Sequence, residues 1–293
     1  MRVEIGDGVR LYFDVDGLGL VPSGAEMADR PTVLLLHGGP GFDHSSYKVG
    51  NLGELRDVAQ VVMYDHRGQG RSDRRPFDEL LLDVWADDVV RFCDALDIQN
   101  PIVFGASFGS MVAQRYLGRH PEHPSKVILA STAARKDNEL VVETFRRLGG
   151  DDAAEAAYNF LSDPSDEHRA AYRELCGPHY TQQPGNPFDS ASLSIHTPEV
   201  SSHWFSGESL TFDSRGDLQR AQCPVLVMQG VHDPITPFPL GEEVAAHLPT
   251  HLVTFERFEA SGHGLGSDEP EHLQSAIRSF ITRPDVDPPP VSP

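Results

Sequence analysis

Three residues in this chain have the types and order that acyl transfer needs. Ser107 sits in Gly105-Ala106-Ser107-Phe108-Gly109, where the apolar run Ile102-Val103-Phe104 gives way to a helical pattern of Met111, Val112, Tyr116 and Leu117. A reversal that tight brings backbone against backbone, and glycine tolerates it. Asp233, in Gly-Val-His-Asp-Pro, and His263, in Ser-Gly-His-Gly, each follow a later apolar run. A serine hydroxyl is too weak an acid to attack unaided, so His263 would take its proton and later give it to the leaving group. Asp233 would hold the imidazole in one tautomer and stabilise its cation. The oxyanion formed on attack needs preorganised donors, and the backbone N–H groups of Phe108 and Gly39 are the candidates. Taken singly, each residue has an ordinary explanation. The chain has fourteen histidines, a Gly-His-Gly is commonly a turn, and an aspartate after a strand commonly caps a helix. Placed together, in this order and at successive strand ends, they read as one catalytic set.

The elements that must position them are legible as alternation. Val3-Glu4-Ile5 and Val9 to Val15 flank Gly6-Asp7-Gly8 and predict a hairpin. A loop is expected from Gly17 to Pro31. Apolar strands are then predicted over 32–38, 59–67, 102–107, 126–132, 224–230 and 252–258, with the spacing of an amphipathic helix over 83–98. Such strands alternating with helices argue for a largely parallel sheet covered on both faces. In an open sheet of this kind ligands sit beyond the carboxyl ends of the strands, where His37-Gly38-Gly39-Pro40-Gly41, Ser107, Asp233 and His263 all fall. From Ala133 to Gln222 the rhythm breaks. Helical patches recur over 140–148, 153–161 and 167–175, a Pro/Gly-rich stretch runs over 177–188, and no comparable strand intervenes. That excursion reads as an inserted helical cap. The expected division is a core of residues 1–132 and 223–283, a cap of 133–222, and a disordered tail of 284–293.

Composition excludes several alternatives. A chain of 293 residues with 39% hydrophobic content can bury a large core. Its formal net charge of -20 argues against nucleic acid or an anionic membrane surface as partner. The partner expected is a small-molecule substrate. Cys93, Cys176 and Cys223 are widely spaced and odd in number, which implies neither a disulfide framework nor a metal site. The N-terminus lacks an apolar signal core and no run of 18 apolar residues occurs, so a cytoplasmic location is expected. His37 reads as shaping the glycine loop. His66 and His232 have no assigned role. Asp65 and Arg67 suit a structural ion pair or loop hydrogen bonds.

These motifs resemble the α/β-hydrolase superfamily from about Val3 to Ile281. The HGGPG segment, the D-x-R-G-x-G-x-S segment beginning at Asp65, and GASFGS look like its proline iminopeptidase branch. The resemblance implies an eight-stranded, mostly parallel sheet with helices on both faces and a helical cap, the Ser107/Asp233/His263 triad, and hydrolysis of a peptide, amide or ester without metal or organic cofactor. One feature departs from that branch. Its cap glutamates bind a free N-terminal amine, one of them in a segment reading E-N-H-Y-F. Here the matching residues are Ser201-Ser202-His203-Trp204-Phe205, with serine in the glutamate's place. A hydroxyl is a weak partner for an ammonium group removed from water; Glu199 or Glu208 would have to substitute. The expected substrate is therefore an ester, lactone or activated amide of a small, largely uncharged molecule, with aminopeptidase activity as the alternative. Ser201, Trp204 and Phe205 are the candidate cap contacts to substrate, with packing of the cap onto the core as the plainer role for the two aromatics. A ligand-binding receptor without turnover is the reading from another class, and an intact triad argues against it.

Overall fold

Alternate residues of the apolar runs go to opposite faces of one sheet, as the two-residue period of a strand requires. The computed structural model describes residues 1–49, 51–184 and 194–283. Its strands are β1 (Arg2–Glu4), β2 (Arg10–Asp16), β3 (Leu20–Ser23), β4 (Glu26–Asp29), β5 (Thr32–Leu36), β6 (Gln60–Tyr64), β7 (Ile102–Ala106), β8 (Lys126–Ala130), β9 (Val225–Gly230) and β10 (Val253–Phe258). Its helices are α1 (Ser45–Val49), α2 (Leu82–Ala95), α3 (Phe108–Arg119), α4 (Asn138–Ser162), α5 (Asp166–Leu175), α6 (Pro198–Ser206), α7 (Arg215–Leu218), α8 (Phe238–His247), α9 (Leu265–Asp268) and α10 (Pro270–Thr282).

Eight strands form one sheet in the order β1-β2-β6-β5-β7-β8-β9-β10. The β1–β2 and β2–β6 pairs are antiparallel and the rest are parallel. Leu34, Leu36, Val62, Tyr64, Val225 and Val227 pack on one face with Trp85 and Phe92 of α2, Tyr116 of α3 and Val244 of α8. Val33, Leu35, Val61, Met63, Leu226 and Met228 pack on the other with Leu55 and with Ile277 and Phe280 of α10. The sequence expectation of a mostly parallel eight-stranded sheet with helices on both faces holds.

Two local differences have physical causes. The expected loop over Gly17–Pro31 contains the β3–β4 hairpin, which turns at Gly24 with φ +64°. Leu20 and Met27 on it are exposed, so no buried alternation marks these strands in the sequence. The helical patches over 140–148 and 153–161 belong to α4, which is kinked at Gly150, where φ is 80° and ψ is -170°. Between β8 and β9 the chain leaves and returns at a bridge between Arg135 and Asp213. Helices α4 and α5 in that segment have a small core of their own, built on Phe145, Phe160 and Tyr172. By contrast Val200 and Trp204 of α6 join the main core. The tail of 284–293 and the later part of the Pro/Gly-rich stretch (185–188) lie outside the described residues.

Candidate active site

Ser107 is positioned by backbone strain and by two glycines that leave no room for anything else. It lies between β7 and α3 with φ 52° and ψ -120°, a left-handed conformation that a residue with a Cβ rarely adopts. A Cβ on Gly105 would stand 2.3 Å from the Gly109 carbonyl oxygen, and one on Gly109 would stand 2.1 Å from that of Leu36. The turn therefore packs directly against the end of β5, and its serine projects at the carboxyl edge of the sheet.

His263 and Asp233 come to the same edge from the loops after β10 and β9. His263 Nε2 is 3.0 Å from Ser107 Oγ, and His263 Nδ1 is 2.9 Å from Asp233 Oδ2. A carboxylate can only accept, so Nδ1 carries the ring proton and Nε2 accepts from the serine hydroxyl. Asp233 is buried and held from several sides. Its Oδ1 accepts from the N–H groups of Ile235 (2.8 Å) and Thr236 (2.9 Å), and its Oδ2 from Thr236 Oγ1 (2.7 Å) and Gln229 Nε2 (3.2 Å). The amide oxygen of Gln229 in turn accepts from the Thr132 N–H at 2.9 Å. Gln229 was no candidate in the sequence, where it reads as one polar residue ending an apolar strand.

The glycine loop after β5 lies over this turn. A Cβ on Gly38 would sit 2.9 Å from the Ala106 carbonyl oxygen and 3.2 Å from Ser107 Cβ. Gly39 has φ 62°. Among the described residues, neither the Gly39 N–H nor the Phe108 N–H donates to another protein group. The D-x-R-G-x-G-x-S segment is the brace behind the loop. Gln69 Oε1 accepts from the Gly41 N–H at 2.6 Å, and Asp65 Oδ1 accepts from the His44 N–H at 3.0 Å and its ring nitrogen at 2.6 Å. Burial raises the proton affinity of the Asp65 carboxyl. The hydrogen bond from His44, the electrostatic influence of the His37 and His44 rings and the Arg71 N–H outweigh it and bring the pKa down to about 2. His37 accepts from the His66 N–H at 3.1 Å through Nε2, and burial lowers the proton affinity of both rings. Arg67 pairs with Asp88 (2.6 and 2.8 Å) and Glu79 (2.8 Å), not with Asp65.

A cavity of about 460 Å³ opens on Ser107 and His263, walled by Phe42, Tyr47, Phe160, Tyr172 and Phe205. A narrower arm of about 150 Å³ leads from Ser107 past Phe108 and Met111 toward Lys136. The three cap candidates fall differently against this space. Phe205 lines both chambers. Trp204 touches only the arm and is otherwise packing, 5.0 Å from the Phe108 ring and 6.5 Å from Trp85. Ser201 meets the cavity but serves as a latch, because its hydroxyl donates to the Pro40 carbonyl. Beside it the Thr197 N–H donates to the Gly41 carbonyl at 2.6 Å.

The acids weighed as replacements for the missing glutamate do not reach the cavity. Glu199 is exposed, and Glu208 accepts from the Leu82 N–H at 2.8 Å. Arg169 and Arg173, which carry no motif and were not expected, do line it. The segment between β8 and β9 also holds the histidine loop. The Tyr180 carbonyl accepts from the His263 N–H at 2.6 Å, and Asp268 Oδ1 accepts from the N–H groups of Gln182 (2.8 Å) and Gln183 (3.2 Å). Among the described residues no group of three or more His, Cys, Asp or Glu side chains is arranged for a metal ion, and no helix is long and apolar enough to cross a membrane.

Residues 31–270 match the family described as alpha/beta hydrolase fold. RutD of Caulobacter sp. (strain K31), which carries the name carbamate hydrolase, is 28% identical over 273 residues, covering 92% of this chain and 97% of that protein. The bifunctional esterase/perhydrolase DCH of Acinetobacter calcoaceticus is 25% identical over 272 residues, covering 86% and 92%. The crystal structure of proline iminopeptidase from Mycobacterium smegmatis superposes with a TM-score of 0.73 at 22% identity, covering 96% and 97%.

Proposed function

The chain belongs to the α/β-hydrolase family, and from that premise we propose that it is a cofactor-independent serine hydrolase of small esters, lactones or activated amides. The observation that carries this reading is the continuous relay from Ser107 Oγ through His263 to Asp233, at 3.0 and 2.9 Å. Ser107 Oγ attacks the substrate carbonyl carbon as its proton passes to His263 Nε2. The carbonyl π electrons move to oxygen, which is met by the N–H groups of Gly39 and Phe108, the latter at the positive end of α3. Collapse of the tetrahedral species breaks the bond to the leaving group, which takes the proton from His263. Water, deprotonated by the same imidazole, then attacks the acyl-Ser107 carbonyl and releases the acid.

The relatives named for carbamate hydrolysis and esterase activity support an activated acyl substrate. Among the described residues the aminopeptidase alternative finds no free carboxylate to serve as its recognition group. Among the described residues Asp43 is the carboxylate lining the main cavity, and its Oδ2 accepts from Arg71 Nη1 at 2.5 Å.

The test is a paired rate assay with 4-nitrophenyl butyrate and proline 4-nitroanilide, together with labelling by a fluorophosphonate probe. Ester cleavage with stoichiometric labelling of Ser107, both absent in Ser107→Ala, is the expected result. Efficient anilide cleavage would overturn the substrate assignment, and an unlabelled Ser107 the mechanism.

A further inference from the structure

The roof of the cavity carries positive charge where an amine-binding enzyme needs negative. Arg169 and Arg173 stand one helical turn apart on α5, and both line the cavity that opens on Ser107. Arg169 is half-buried. Its guanidinium carbon lies 5.5 Å from the Phe160 ring centroid, and Nη2 donates to the Pro164 carbonyl at 3.3 Å and to Ser202 Oγ at 3.4 Å. Stacking and neutral acceptors thus hold the group in place. Among the described residues no carboxylate lies within ion-pair distance of it. In a chain with 44 acidic residues against 24 lysines and arginines a counter-ion is easily supplied, and among the described residues none is. A half-buried guanidinium without a counter-ion among the described residues is a ready site for an anion, since its planar fork matches a carboxylate with two parallel hydrogen bonds.

The rest of the cavity agrees with this charge. Asp43 is committed to Arg71. His196 lines the same space, stacked 4.4 Å from Phe42. Burial, then the charges of Arg173 and Arg169, outweigh the opposing charge of Glu199 and lower its affinity for a proton, so both arginines act on this part of the cavity. The aromatic walls suit an apolar spacer between the reacting carbonyl and a charged end.

We propose that Arg169 and Arg173 form a carboxylate-recognition site, so that the substrate cleaved at Ser107 carries a free carboxylate remote from the scissile bond. This rests on the hydrolase reading above and replaces the uncharged substrate expected from the sequence.

Two matched esters test it: the mono-4-nitrophenyl ester of adipic acid and the same compound with its free acid methylated. The wild-type protein is expected to prefer the free acid by about ten- to a hundredfold in kcat/KM, the range of a charge-assisted hydrogen bond. The R169Q/R173Q variant should bring that preference within about twofold, mainly by raising KM for the acid. Lys136 is the competing cation. It lines the narrower arm, and burial lowers its proton affinity. Lys136→Gln is expected to leave the preference intact. Equal rates on the two esters, a preference that survives R169Q/R173Q, or one that vanishes in Lys136→Gln would each overturn the assignment. Cleavage of neither ester with Ser107 unlabelled would sink the hydrolase reading instead. Calorimetry with 4-phenylbutyrate then decides the anion site alone: binding weakened tenfold or more in R169Q/R173Q supports it, and unchanged binding overturns it.

Discussion

The floor and the roof of the cavity are built by different means. On the floor, Ser107, Asp233 and His263 stand at the ends of buried strands, each fixed by backbone that can take few other paths. Gly105 and Gly109 have no space for a methyl group, and Asp233 accepts hydrogen bonds from several donors. On the roof, Arg169, Phe160 and Phe205 sit on helices whose inward faces are set by packing with one another. On the proposed function the floor breaks the bond and is specified by local sequence, while the roof selects the molecule and is specified by contacts distant in sequence.

The largest effect should come from the floor. Asp233→Asn removes the acceptor that fixes the His263 tautomer, and turnover of any ester is expected to fall by about 10⁴-fold with the melting temperature little changed. A loss below tenfold would show that the ordered relay is not what the floor supplies. Next comes the seam between the regions. Trp204 is buried against Phe108 and Trp85, so Trp204→Ala should cost about 3–5 kcal/mol in urea unfolding. A smaller cost would mean that roof and floor are only loosely joined.

The brace beneath the glycine loop gives a smaller, pH-dependent signal. The Asp65 carboxyl is depressed to about 2 from an ordinary 3.8, so the unfolded chain binds the extra proton between those values. Its contribution, about 2 kcal/mol, is complete above pH 4 and is lost as the pH falls toward 2. Asp65→Asn should flatten that part of an acid-unfolding curve, and an unchanged slope would assign the acid sensitivity elsewhere. The smallest effect is at the latch. Ser201→Ala removes one hydrogen bond to Pro40, expected to cost about 1 kcal/mol. A large rise in KM for a substrate amine would instead give Ser201 the recognition role that the structure assigns to packing.

What could be read in the sequence follows the same division. Val33-Leu34-Leu35-Leu36 and Val61-Val62-Met63-Tyr64 are buried on both faces, so their apolar runs stand out from any background. The glycines around Ser107 are legible because a close approach admits one residue type. Arg169 and Arg173 left no such mark, since arginines one turn apart on an amphipathic helix normally face water. Their role depends on which side α5 turns toward Phe160, and that is decided by tertiary packing. Gln229 was missed for a related reason: its partners Thr132, Asp233 and Thr236 meet only when β8 and β9 are side by side.

If His263 is the base, the carbonyl of Tyr180, bonded to the His263 N–H at 2.6 Å, makes the segment between β8 and β9 an interlock on the chemistry. On the proposed mechanism, lifting this segment would break that bond and free the loop carrying the base, so an open molecule would also be an idle one. Grafting a foreign cap onto this core would be expected to disarm it even toward the smallest ester, unless the graft offers a carbonyl at the same point.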